Sequence, residues 1–285
     1  MNANGFLLID KPQGPTSFDI VSKIRKKIGV KKVGHCGTLD PLAEGLLVIA
    51  VGSATRLIQY TGDDKIYEFG VVFGRQTETG DREGKVIKEY GEIPCKEKLL
   101  EAIPDFCKEI MQTPPAFSAI KICGKRAYEL ARAGIPVEMK ARKIKIYSLE
   151  LKRFDFKQKT AVFQVSCSSG TYVRSLAQDI AEKCGTLGFC SFIKRMRVGN
   201  FSLEDAVSAD DASENDIIPI EKAIVLQSIK LSEAEFCKIK NGAAIGISVA
   251  DTAQIWLEYN KKVAALCKVE NGFAKPILVF ADNLQ

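Results

Sequence analysis

The most chemically suggestive stretch of the sequence is Gly34-His35-Cys36-Gly37-Thr38-Leu39-Asp40-Pro41-Leu42-Ala43-Glu44-Gly45. Glycines surround the only histidine, Asp-Pro at 40–41 is a turn signal, and the run Leu46 to Val51 reads as a buried strand. A carboxylate on a glycine-rich loop directly before a buried strand is well placed to face a cleft. An aspartate that only caps a turn would leave the same trace. Spacing alone does not decide between the two.

A second stretch, Ser168-Ser169-Gly170-Thr171-Tyr172-Val173-Arg174-Ser175-Leu176, lies where a strand at 160–167 passes into a helix. Backbone N–H groups and Arg174 gather at that helix N-terminus, a ready anion site. The arginine could contact phosphate, hold a catalytic carboxylate in place, or lie exposed beside a capped helix. A third stretch, Gln112 to Ala119, is a rigid proline turn leading to an amphipathic helix that carries Tyr128 and Arg132. Near the start, Asp10 to Ser17 forms a turn ending in a helix cap, with Lys11 available for phosphate.

Composition narrows the chemistry. The chain has 285 residues, 46% apolar and 27% charged, as expected of a soluble globular protein. Its longest apolar stretches are too short to cross a bilayer, and Asp10 and Lys11 interrupt the early run Phe6 to Ile9, so neither a membrane span nor a signal peptide is expected. Nine scattered cysteines without a CxxC pair fit a reducing, cytoplasmic setting in which thiols serve as small core residues. One histidine and no ligand cluster make a metal site unexpected. Residues 1–202 carry 33 Lys and Arg against 22 Asp and Glu, whereas 203–228 carry 1 against 7. The main body is therefore more basic than the net charge of +6 suggests, which favours a polyanionic partner such as RNA or DNA.

The elements that must position these residues follow from periodicity. Ile20, Val21, Ile24 and Ile28 predict a helix that Gly29 stops. Further helices are expected over 96–103, 125–133 and 171–184, and strands around 67–73, 144–146 and 160–167. Strand and helix do not alternate regularly, so the fold class is α+β with a mixed, largely antiparallel sheet. The acidic stretch 203–228 reads as a connection to a small β-rich module at 229–285, with Asn-Gly turns at 241–242 and 271–272. Removing such a tail should lower affinity for RNA more than turnover.

Taken together, these segments resemble the bacterial TruB-type tRNA pseudouridine synthases. The resemblance rests on DKPxGxTS at 10–17, GHxGTLDPLAxGLL at 34–47, Ile66-Tyr67 with TxTxDxxG at 77–84, QxPPxxSAxKxxGxRAYExARxG at 112–134 and SGTYVRSL at 169–176. Ile193 to Gly199 and Phe201 complete it, in family order. It implies a pseudouridine-synthase core over 1–228 with a central RNA-binding cleft, and a PUA-like RNA-binding module over 229–285. The implied reaction isomerises uridine in the T loop of tRNA, at position 55, without cofactor, metal or obligate protein partner.

On that mapping Asp40 is the catalytic aspartate; attack on the sugar, attack on the base and base catalysis at the sugar all stay open. Tyr67 matches the tyrosine stacked on the target base and is a candidate for removing the C5 proton. Arg174 matches the arginine paired with the aspartate, and Tyr172 and Ile193 match residues lining the base pocket. His35 matches the histidine that fills the space left by the flipped uridine. Lys11, Lys194 and Arg195 are expected as phosphate contacts. A non-catalytic tRNA-binding or RNA-folding protein on the same scaffold is the alternative. Such a binder would have no chemical need for Asp40, Tyr67 and Arg174 together.

Overall fold

The computed structural model describes residues 3–62 and 64–280. The chain opens with β1 (Gly5–Lys11), α1 (Ser17–Ile28), β2 (Val33–His35) and β3 (Glu44–Val51). After a 3₁₀ segment, Gly52–Tyr60, come β4 (Lys65–Phe73) and a small hairpin of β5 (Arg75–Thr77) and β6 (Val86–Glu89). Next are α2 (Lys96–Ala102), β7 (Glu109–Gln112), a second hairpin of β8 (Lys121–Ile122) and β9 (Lys125–Arg126), and α3 (Ala127–Arg132). The long strands β10 (Arg142–Asp155) and β11 (Thr160–Cys167) precede α4 (Val173–Lys183) and β12 (Gly188–Val198). Then follow β13 (Phe201–Ser202), β14 (Val207–Ser208) and α5 (Ile220–Ala223). The C-terminal part holds β15 (Ser228–Lys230), α6 (Glu233–Lys240), β16 (Ile245–Gly246), β17 (Thr252–Tyr259), β18 (Lys262–Glu270) and β19 (Phe273–Val279).

The main sheet runs β14-β1-β3-β12-β4-β11-β10-β7, with β2 paired to β3 and β13 to β12. Two of its pairings, β1 with β14 and β3 with β12, are parallel and the rest antiparallel. The α+β content and mixed sheet match the expectation. The central strand β12 has no clear strand signal in the sequence, because Lys194, Arg195 and Arg197 interrupt its apolar residues.

The continuous apolar run of β3 has a direct cause: both of its faces are buried. Leu47, Ile49 and Val51 join Leu7 and Ile9 of β1 in the larger core, which α1 covers with Ile20, Val21, Ile24 and Ile28. Leu46, Val48 and Ala50 join Phe6 and Leu8 on the opposite face, against α5 and the C-terminal residues Trp256, Val263, Leu266 and Phe280. The α1 helix is fixed at its start by a Thr16–Asp19 capping box and at its end by Gly29 in the left-handed conformation.

The stretch 203–228 is not a free connection. It supplies the edge strand β14, buries Ala209 and Ala212 in the larger core, and returns as α5 over the second face. The C-terminal five-stranded sheet, ordered β15-β17-β18-β19-β16, adds an apolar cluster of its own around Ile239, Ile255 and Leu257. Of the two Asn-Gly pairs, 271–272 makes the β18–β19 hairpin with both residues at positive φ. The other, 241–242, ends α6. Five of the nine cysteines are buried as small core residues; Cys95, Cys107, Cys123 and Cys237 are exposed.

Candidate active site

Asp40 lies in the loop between β2 and β3, and three anchors fix that loop. Ser17 at the start of α1 donates its Oγ to Leu39 O (3.0 Å) and accepts from Leu39 N (2.8 Å). Gly14 N donates to Pro41 O, and Ala43 N closes the turn onto Asp40 O. Arg195 of β12 donates Nε to Leu46 O (2.7 Å), Nη1 to Thr38 O (3.4 Å) and Nη2 to Gly37 O (3.2 Å). The strands approach closely enough that Gly45 is required: its φ is +92°, and a Cβ there would lie 2.5 Å from Arg195 O.

The carboxylate of Asp40 meets Arg174, in the first turn of α4, with Nη2 2.8 Å from Oδ2. Arg174 is 4% exposed, and its guanidinium is held by more than this one contact. It donates Nη1 to Thr79 O and Nη2 to Phe117 O, both at 2.9 Å, and Nη1 lies 3.6 Å from Asp81 Oδ2. Asp81 is buried and is oriented by Thr79 Oγ1 (2.6 Å) and Glu83 N (3.0 Å). One arginine is thus shared by two carboxylates, of which Asp40, with its side chain 37% exposed, is the more open. Sequence reasoning gave Asp81 no role, although it is the aspartate of TxTxDxxG.

Two cavities meet at Asp40. The smaller, about 310 Å³, is lined by Asp40, Tyr67, Tyr172, Arg174, Ile193 and Arg195, among others. The larger, about 620 Å³, is lined by Asp40, His35, Phe117, Tyr128, Arg132 and Phe18, among others. Phe18 is 64% exposed although it is a phenylalanine, and it too escaped the sequence reading. Tyr67 sits opposite Arg195 in the β4–β12 register. Burial raises its phenol pKa, and the neighbouring arginine opposes that rise. His35 has its pKa lowered by burial and then by Arg195, so its imidazole is uncharged at neutral pH.

The structure therefore brings Asp40, Tyr67, Tyr172, Arg174 and Ile193 into one cavity and His35 into the adjoining one. Two of the three expected phosphate contacts are corrected. Lys11 is 0% exposed, with Nζ donating to Ala43 O (2.6 Å) and Pro12 O (2.9 Å); it braces the Asp40 loop from inside. Arg195, also 0% exposed, spends its guanidinium on backbone carbonyls. Lys194 is partly exposed and lies 3.9 Å from Glu44.

The buried ammonium of Lys11 gives a testable pH dependence. Burial lowers its pKa from 10.5 to about 8. Below about 8 the folded protein carries the full cost of the buried charge. Between about 8 and 10.5 the folded state releases the proton while the unfolded chain keeps it, so this contribution to stability rises with pH. Denaturant midpoints of the parent and Lys11→Met should therefore shift in the parent's favour across that window. A constant difference would show that Lys11 titrates normally.

The chain as a whole is similar to known proteins. A family model described as TruB family pseudouridylate synthase (N terminal domain) matches residues 25–173. The tRNA pseudouridine synthase B of Aquifex aeolicus (strain VF5) is 43% identical, over 96% of this chain and 98% of that protein. Its counterpart in Ehrlichia ruminantium (strain Gardel) is 37% identical, over 97% and 99% respectively. Among solved structures, a chain of a Cbf5-Nop10-Gar1 complex superposes with a TM-score of 0.71 at 24% identity, covering 97% of this chain and 84% of that one. That last likeness concerns the fold alone.

Proposed function

The chain belongs to the TruB family of pseudouridylate synthases and isomerises uridine to pseudouridine in tRNA; we propose that its target is the T-loop uridine at position 55 and that Asp40 performs the chemistry. The observation that carries this assignment is the Asp40 carboxylate at the junction of two cavities, 2.8 Å from a guanidinium fixed by two backbone carbonyls. A preset positive charge beside the reacting group needs no reorganisation when the reaction occurs. The isomerisation breaks the N1–C1′ bond, turns the base, forms C5–C1′ and releases the C5 proton while N1 gains one. No redox change occurs, and the reading calls for no cofactor.

The smaller cavity is the base pocket in this reading. Tyr67 packs against the uracil and is the candidate acceptor of the C5 proton, with Tyr172 and Ile193 as further walls. The larger cavity receives the RNA loop, and His35 occupies the space vacated when the uridine flips. Residues 1–228 form the catalytic unit, with 203–228 as its acidic edge. Residues 229–285 form a PUA-like RNA-binding module, a reading supported by the separate five-stranded sheet and its own apolar cluster. Among the described residues no helix is long and apolar enough to cross a membrane, and a tRNA-modifying role fits the cytoplasm.

Mapping pseudouridine in an unmodified tRNA transcript after incubation with the protein tests the reading. Modification confined to the T-loop uridine is expected. Tight binding without any pseudouridine would identify a non-catalytic tRNA binder instead.

His35→Ala should weaken productive binding and slow flipping while leaving residual product. Stacking contributes about 1–3 kcal/mol per base, and the reading assigns His35 no proton transfer. A fluorescent base analogue at the target position separates flipping from chemistry. Normal flipping with abolished product would make His35 part of the chemistry.

A further inference from the structure

The free edge of the main sheet grips one wall of the base pocket. Register places Gln112 of β7 directly opposite Arg142 of β10, and both side chains reach Tyr172, the residue before α4. Gln112 holds the backbone of Tyr172 at both ends: Nε2 donates to Tyr172 O (3.1 Å), and Oε1 accepts from Tyr172 N (2.8 Å). A flipped amide would set its oxygen against Tyr172 O and its N–H against Tyr172 N, so the amide has one orientation. Ser175 Oγ ties the same turn to Thr113 O (2.8 Å).

Arg142 acts on the ring rather than the backbone. Its guanidinium carbon lies 4.6 Å from the centroid of Tyr172, within cation–π range. Nη2 donates to Gly170 O, which fixes the plane of the fork, and Nε is buried without a hydrogen-bond partner. Arg142 lines the smaller cavity together with Asp40 and Tyr172. Its geometry matches a part that shapes the pocket. An arginine reaching for RNA would extend its fork toward solvent.

We propose that Arg142 is a positioning residue for the isomerisation, fixing the Tyr172 ring as a wall of the uridine pocket while its cross-strand partner Gln112 fixes the Tyr172 backbone. This rests on the functional reading above. In the sequence Arg142 stands in a local basic group with Lys140, Lys143 and Lys145. The structure gives it a different task.

The test measures single-turnover pseudouridine formation, and tRNA affinity across a salt series, for Arg142→Ala, Arg142→Lys, Tyr172→Ala and the double variant Arg142→Ala/Tyr172→Ala. A misplaced pocket wall costs up to about hundredfold in rate, so both Arg142 variants should react roughly tenfold to hundredfold slower. Their affinity should stay within about threefold of the parent with an unchanged salt slope, because no phosphate contact is lost. In the Tyr172→Ala background, Arg142→Ala should add less than about twofold, since residues acting through one another are non-additive.

Three results would overturn the proposal. One is weaker binding with a salt slope reduced by about one and rescued by lysine, which would make Arg142 a phosphate contact. Another is full additivity with Tyr172→Ala. The last is an unchanged rate in both Arg142 variants. Should Arg142→Ala fail to fold, Arg142→Lys and Gln112→Glu carry the test, the latter keeping the acceptor for Tyr172 N and losing the donor to Tyr172 O. A parent protein that forms no pseudouridine would sink the functional reading itself, and that is seen before any variant is compared.

Discussion

Asp40→Asn is expected to fold, to bind tRNA within a few-fold of the parent, and to form no detectable pseudouridine. An amide of the same shape keeps the loop, because Ser17, Gly14 and Arg195 anchor its backbone and not the Asp40 side chain. Arg174 would not be left stranded, since Thr79 O, Phe117 O and Asp81 still surround its guanidinium. What disappears is the carboxylate, and a neutral amide neither attacks nor deprotonates. Binding and single-turnover product are to be measured on one preparation. Substantial product, with deamidation excluded by mass spectrometry, would sink the catalytic assignment. Loss of folding would return Asp40 to the role of a turn residue.

The second large effect concerns the C-terminal sheet. Trp256 is 1% exposed, and its Nε1 donates to Ile224 O at 2.8 Å. Its ring lies in the apolar layer against Phe6, Leu8 and Val48, and Arg56 reaches across to Val279 O and the Phe280 ring. Truncating a buried tryptophan to alanine costs about 3–5 kcal/mol, and whole domains have only about 5–15 kcal/mol in hand. Trp256→Ala should therefore lower the unfolding midpoint sharply. Ending the chain at residue 228 should do worse, exposing one face of β1 and β3 and producing aggregated protein. This replaces the expectation of a tail whose loss lowers affinity for RNA more than turnover. A truncated chain that is soluble and unfolds at the parent's midpoint would refute it.

What could be read from the sequence follows from what is local. The α1 helix announces itself through its 3.6-residue apolar spacing, its capping box and Gly29, and β3 through an apolar run of strand length. Strand β12 is hidden in the sequence because charged side chains ordinarily mark a surface. Arg195 and Lys11 instead satisfy their charges with carbonyls from segments distant in the chain, which no local pattern encodes. The Asp40–Arg174 pairing was legible only through family resemblance, since 134 residues separate the two in the sequence. Gln112 and Arg142 had a trace in the sequence, but their joint task depends on the β7–β10 register.

The clamp on the Asp40 loop has a consequence for when, during synthesis, this enzyme comes into being. The loop leaves the ribosome early, but Arg195, which holds Gly37, Thr38 and Leu46, follows about 150 residues later. Strand β12 must then insert between β3 and β4, which follow one another in the sequence, before the sheet closes. Contacts of such long sequence separation close slowly, after local helices and hairpins have formed. A nascent chain shorter than about 200 residues therefore has its aspartate but not the scaffold that aims it. Competence should be absent until β12 has emerged and complete only once the C-terminal residues cover the second face of β1 and β3, which keeps incomplete chains from handling RNA as half-built enzymes.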